Sequence, residues 1–229
     1  MNQYPGVIGR KLGMTQVFAS DGTVVPCTVV EAQPVVVTKR IPDRDGYSAL
    51  VLGLGERKPK HTSKPLAGFF GKVGVSARRT LRELRCAADY AAGFEVGAEV
   101  RLDQVFKEGQ LVDVQSFSRG RGFTGVMRRH NYSGQKQTHG SHEYKRHGGS
   151  IGTNMTPGRT LHGIGMPGQH GNKRVSVLSQ CVVKVMPDEH LIFIHGGIPG
   201  AKNALVMVRG AVKAQGGKPR PKREQPKKK

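Results

Sequence analysis

Between Phe117 and Val175 runs a stretch of 57 residues that carries neither an alternating nor a helical pattern of apolar side chains. Thirteen of the 32 glycines and six of the nine histidines fall inside it. Turn dipeptides recur at Ser133-Gly134, Gly148-Gly149, Pro157-Gly158 and Pro167-Gly168. Periodicity therefore predicts no packed element here. So long an irregular segment is uncommon inside a compact domain unless it is functional. Its charge indicates what could order it: ten Lys and Arg stand against Glu143 alone, a net of +9. The expectation is an extended basic loop over 118–174 that leaves the folded domain. Two arms of about 25 residues would reach at most roughly 80–90 Å.

The flanks read differently. Thr23–Glu31, Pro34–Arg40, Ser48–Leu54 and Val112–Phe117 are rich in Val and Thr, as are Arg174–Met186, His190–His195 and Ala204–Arg209. Turn signals at Asp21-Gly22, Asp45-Gly46 and Pro187-Asp188 separate several of them. Short strands at such spacing predict a mainly β barrel or sandwich, here built from residues 1–117 and 175–212. Residues 56–96 are mixed: Pro65–Val73 could be a short helix, and Arg78–Arg85 is ambiguous between helix and strand. Residues 1–117 are only +4 and 175–212 only +1, as a self-sufficient core should be.

The last 17 residues, 213–229, hold eight Lys and Arg, one acid and no apolar anchor, and read as a disordered basic tail. The whole chain is +21, a self-repulsion that a polyanion would relieve. Nucleic acid is the leading partner and an anionic membrane surface the second. No run approaches 18 apolar residues, and the N-terminus has no secretory h-region, so neither a membrane span nor a signal peptide is expected. Cys27, Cys86 and Cys181 are odd in number and far apart, which argues against a disulfide framework or a zinc ribbon and fits a reducing cytosol.

Three segments of the loop could carry chemistry. Phe117–Arg129 contains Gly120, Gly122 and Gly125 in the spacing of a dinucleotide fingerprint. No full helix and no βαβ alternation follow, and the only acid nearby is Glu143, so that reading fails. Glycine backbone with Arg119, Arg121, Arg128 and Arg129 still suits phosphate, by close N–H approach and bidentate donors. His139–His147 holds His142, Glu143 and His147 one residue too long for a zinc-protease motif, and its glycines disfavour the helix such a motif needs. A ribonuclease-like histidine pair would need a fixed geometry that glycine-rich sequence does not supply. Planar His, Arg and Tyr side chains that stack on bases and bond to phosphates fit better. Gly148–Arg159 supplies small residues and turns that permit close backbone approach.

Taken in order, these segments resemble the family of the universal third protein of the large ribosomal subunit, in its bacterial form. The family signature is matched by Phe106, Asp113, Ser116, Ser118, Gly120, Arg121, Gly122, Gly125 and Arg129. Ile8–Phe18, Thr138–Ser141, Gly149–Gly152, Thr156–Gly158 and His190–Ala201 are similar to further family segments, and the likeness spans roughly residues 6–209. His130 stands where bacterial members often carry Trp, and Met155 where some carry a methylated glutamine.

The resemblance implies a translation-factor-like β-barrel with a small inserted α/β subdomain, about residues 56–96, and a long irregular extension that penetrates RNA. It implies a structural constituent of the large subunit, supporting early assembly, with the loop directed toward the peptidyl transferase centre. It implies no enzyme activity, no cofactor and no metal. The partners would be 23S-type rRNA and neighbouring ribosomal proteins, with no membrane and no homo-oligomer, in cytoplasmic ribosomes. The candidate RNA-binding residues are Lys11, Arg119, Arg121, Arg128, Arg129, His130, Lys136, His139, His142, Lys145, Arg146, His147, Arg159, His162, Lys173 and Arg174. The competing functions are an enzyme acting on nucleic acid and a translation-factor-like module. The first lacks a fixed acid–base pair. The second lacks a GTPase domain, and no P-loop motif occurs in the chain.

Overall fold

The computed structural model describes residues 4–19 and 21–213. The tail therefore lies, Lys213 apart, outside the described residues. The chain divides into two compact units, one from residues 1–117 and 174–229 and the other Ser118–Lys173.

In the first unit, runs rich in Val, Ile and Leu form the strands, and where apolar and polar residues alternate one face is buried. β1 (Gly6–Phe18), β2 (Val24–Glu31), β6 (Leu111–Phe117), β9 (Arg174–Met186), β10 (Leu191–His195) and β11 (Leu205–Gly210) close into a barrel of order β1-β11-β6-β9-β10-β2. Every pairing in it is antiparallel. Burial alternates strictly along β6 and β11, and Val112, Val114, Val206 and Val208 are fully buried. Ile192, Ile194, Val30 and Val182 meet them inside. A second sheet of order β3-β4-β5 joins β3 (Val35–Arg40), β4 (Ala49–Glu56) and β5 (Arg78–Arg85). The helices α1 (Pro42–Asp45), α2 (Lys64–Val73), α3 (Ala88–Ala92) and α4 (Leu102–Val105) are short. One hydrophobic cluster runs through both sheets, with Leu50, Leu52, Leu84 and Leu102 joined to the barrel residues.

Two readings of the sequence change here. The ambiguous Arg78–Arg85 segment is a strand, paired to β4 from Ala49↔Arg85 to Glu56↔Arg78. Its charged residues sit on a partly exposed sheet, where long side chains extend into solvent. β1 is a 13-residue strand that the pattern did not announce. Val7 and Ile8 are both fully buried, so its first turn of chain is covered on both faces and does not alternate. Gly9 shows why glycine interrupts it: a Cβ there would lie 2.6 Å from the Glu31 carbonyl oxygen and 2.7 Å from Val30. The strand crosses its neighbours too closely for a side chain.

The signature residues of β6 organise the barrel wall. Asp113 accepts hydrogen bonds from the backbone N–H of Ser179 (2.9 Å) and of Val212 (3.2 Å). The β6–β9 register shifts between Val112 and Val114, and Ser179 adopts a left-handed φ of 54°. Asp113 thus satisfies the Ser179 donor that the bulge takes out of the ladder and also holds the chain just after β11. Ser116, buried on the same strand, donates to the Leu205 carbonyl at 2.6 Å. Phe106 is buried in the core cluster.

The second unit contains β7 (Gly122–Thr124), β8 (Gly168–His170) and α5 (Val126–His130). The expectation of no packed element over 118–174 is corrected to this extent. A three-residue ladder and a single helical turn are too short to display a period. Only Thr124 and Val126 are buried among its residues.

Candidate nucleic-acid interface

The two arms of the second unit are pinned together at its base. Ser118 N–H donates to the Lys173 carbonyl (2.8 Å), Asn172 N–H to the Ser118 carbonyl (3.1 Å), and Arg121 N–H to the His170 carbonyl (3.0 Å). The Lys173 N–H adds a bond to the Ser118 hydroxyl at 3.2 Å. Gly171, at φ +72°, passes so close to the Arg119 carbonyl that no Cβ could be accommodated. From this neck the β7–β8 ladder continues through Gly122↔His170, Phe123↔Gln169 and Thr124↔Gly168.

Beyond the ladder, α5 places Arg128, Arg129 and His130 in its last turn, ending at Asn131 in the left-handed region. Arg129 donates from Nη1 to the Met166 carbonyl at 2.6 Å, and His130 Nε2 lies 3.1 Å from the same oxygen. Both side chains therefore grip the 165–168 turn. Gly165 and Gly168 make this possible, since a Cβ at either would lie within 2.7 Å of the His130 ring or the Arg129 guanidinium. Tyr132 OH accepts from the Gly165 N–H at 3.2 Å and closes the same turn.

His170 sits in the field of several of these cations. Partial burial, then the fields of Arg121, Arg128, Arg129 and Lys173, hold its pKa below the ordinary 6.5. Its Nδ1 is buried without a hydrogen-bond partner. Four of the sequence-chosen residues thus act electrostatically on one imidazole.

The remaining choices are dispersed. Lys136, His139, His142, Lys145, Arg146 and His147 lie in the irregular 131–150 segment, where Gln135 N–H and the Lys145 carbonyl (3.0 Å) close a loop. Most of these side chains are exposed, and so are Arg159 and His162 in the following turns. His142, Glu143 and His147 form no metal cluster among the described residues. Lys11 and Arg174 belong to the barrel unit. Lys11 is turned inward: its Nζ donates to the carbonyls of Ile198 (2.7 Å) and Gly200 (3.1 Å), and burial lowers its pKa. Its role in the free protein is to clasp the 196–200 loop, which Thr28 also holds by donating to the Gly196 carbonyl at 2.7 Å.

Sequence reasoning passed over three features. His170 was counted with the loop histidines but has no local motif to single it out. Phe123 stands 80% exposed on β7, and its signal, an aromatic ring within a run of Arg and Gly, was legible. A shallow basic surface on the barrel unit is lined by Arg57, Lys58, Lys60, His61 and Arg79 beside Glu56. It joins the run 56–61 to Arg79 of β5, which lies about twenty residues further along.

The chemistry is that of an anion receptor. The second unit carries nine Lys and Arg and one acid. The ion pairs formed among the described residues, such as Arg40–Asp45 and Arg101–Asp103, all lie in the first unit. Cations left without carboxylates on a scaffold with little core suit the repeated phosphates of a nucleic acid.

A family model described as ribosomal protein L3 matches residues 87–190. The large ribosomal subunit protein uL3 of Sorangium cellulosum (strain So ce56) is 56% identical over 218 residues, covering 95% of this chain and 94% of the relative. The uL3 protein of Acidothermus cellulolyticus is 48% identical over 216 residues, covering 93% and 95% respectively. That of Myxococcus xanthus (strain DK1622) is 44% identical over 211 residues, covering 91% and 94%.

Proposed function

The chain belongs to the uL3 family of large-subunit ribosomal proteins, structural components rather than enzymes, and on that premise we propose that its Ser118–Lys173 unit is the part that binds large-subunit rRNA. The observation that carries this is the set of nine Lys and Arg gathered there with one acid and no ion pair. Arg121, Arg128, Arg129 and Lys173 hold phosphates near the neck. The exposed residues from Lys136 to His162 contact RNA further along the extension, which runs toward the peptidyl transferase centre. The barrel docks beside neighbouring ribosomal proteins. The family's inserted subdomain, about residues 56–96, takes in α2, β5 and α3. By joining RNA to a preformed barrel the protein supports early subunit assembly in cytoplasmic ribosomes.

The test is RNA–protein crosslinking in purified large subunits with mapping to single residues. Adducts should concentrate between residues 118 and 173. Crosslinks confined to the barrel strands, with none in that unit, would refute the assignment.

A further inference from the structure

Phe123 is the most exposed Phe or Tyr ring among the described residues, at 80%. It is not on a loose segment. The β7–β8 ladder fixes it opposite Gln169, and the Arg121 N–H to His170 carbonyl bond extends the pairing by one residue. The neighbouring Thr124 hydroxyl lies 3.3 Å from the carbonyls of Arg121 and Gly122, and Thr124 itself is buried. Alternation along the strand then sends the Phe123 ring to the opposite, open face. Of the positions two away on the two strands, Gly125 and Gly171 provide no side chain to cover it, and the other two are Arg121 and Pro167. A flat apolar surface is thus held rigidly in water, beside a group of arginines.

We propose that Phe123 is a stacking platform for an unpaired nucleobase of the rRNA, with Gln169 across the ladder facing the base edge. This deepens the RNA-binding reading above and rests on it. The occupant follows from charge: in a unit of nine Lys and Arg against one acid, the ligand that meets this ring carries phosphates. Nucleobases stack on aromatic rings while their backbone phosphates meet cations. An apolar side chain of another protein would satisfy the ring but not the arginines.

The experiment compares the full-length chain with Phe123→Ala, Phe123→Leu and Phe123→Tyr in binding to a 23S-type rRNA transcript over a range of salt. Thermal melts should be unchanged, because the ring contributes no core contact. Ala and Leu should weaken binding roughly ten- to hundred-fold, Tyr should retain it, and the salt slope should stay constant because no charge is removed. If Leu binds as tightly as Phe, the ring makes a generic apolar contact and the platform is overturned. Unchanged binding by the Ala variant overturns it as well. An Arg121→Ala, Arg128→Ala double variant is the control: weakened binding there, with Phe123→Ala unaffected, removes the platform and leaves the RNA interface standing. If the unaltered chain does not bind the transcript, the RNA-binding reading itself fails.

Discussion

Lys11 and His170 show how differently two basic side chains of one basic protein behave. Lys11 has two of its three ammonium protons committed to the Ile198 and Gly200 carbonyls. Lys11→Met should lower the stability of the free protein by about 1–3 kcal/mol, since two carbonyls lose a charged donor. A urea melt would show it, and an unchanged midpoint would return Lys11 to the RNA-contacting set. His170 has the opposite character, because partial burial and then four cations oppose its charge. Its folded pKa is below the unfolded value, so the unfolded chain binds the proton more readily. His170 therefore costs the second unit no stability above about pH 6.5 and weakens it as pH falls from there through the lower folded pKa. Phosphates placed among the same cations would cancel their field and raise the His170 pKa. An NMR titration should find its midpoint below 6.5 in the free protein and higher with rRNA bound. A midpoint that stays put on binding would place the phosphates elsewhere.

At the scale of elements, β6 carries more of the design than its seven residues suggest. One face fills the barrel with Val112 and Val114, while Asp113 on the other holds the β9 bulge through Ser179 and the chain after β11 through Val212. Asp113→Ala would leave those two N–H groups without their acceptor and should cost about 1–3 kcal/mol in denaturant unfolding. A loss below about 0.5 kcal/mol would mean water replaces the carboxylate without penalty. The β7–α5–β8 unit has the reverse balance. It buries Thr124 and Val126 and little else, against an ordering cost of roughly 1–2 kcal/mol per residue. Replacing residues 126–166 by a short Gly-Ser turn should leave a barrel that unfolds cooperatively, because Thr124 and Gly168 are already paired across the gap. Amide exchange in the intact free protein should be fast over 131–166 and slow in β6, β9 and β11. Strong protection of 131–166 without RNA would overturn this account of the extension.

For the whole molecule, the uneven charge sets the expected energetics. Residues 1–117 and 175–212 are nearly balanced, while the insertion and the tail hold most of the +21. Each phosphate neutralised adds about −0.7 to −0.9 to the log–log dependence of affinity on salt. On the proposed role, the nine cations of the second unit make a total slope steeper than about −3 the expected outcome. A filter-binding series from low to physiological salt measures it, and a shallower slope would count against deep penetration of RNA.

What the amino-acid order determined by itself was the division of labour. Runs rich in Val and Thr between turn residues mark a strand from near neighbours alone, so β2, β3, β4, β6, β9, β10 and β11 could be read within a residue or two of their bounds. Charge and glycine marked the extension for the same reason, since they are properties of composition. The order in which strands pair was left to the tertiary structure. β1 could not be recognised until β11 and β2 paired with it, because its first four residues are buried on both faces and the rest are partly or fully exposed, so no single face alternates along it. The grip of Arg129 and His130 on Met166 likewise spans more than 30 residues, as does the cation group around His170. No spacing rule reaches so far: those contacts exist only where the Gly165, Gly168 and Gly171 backbone lets two distant arms come within van der Waals distance.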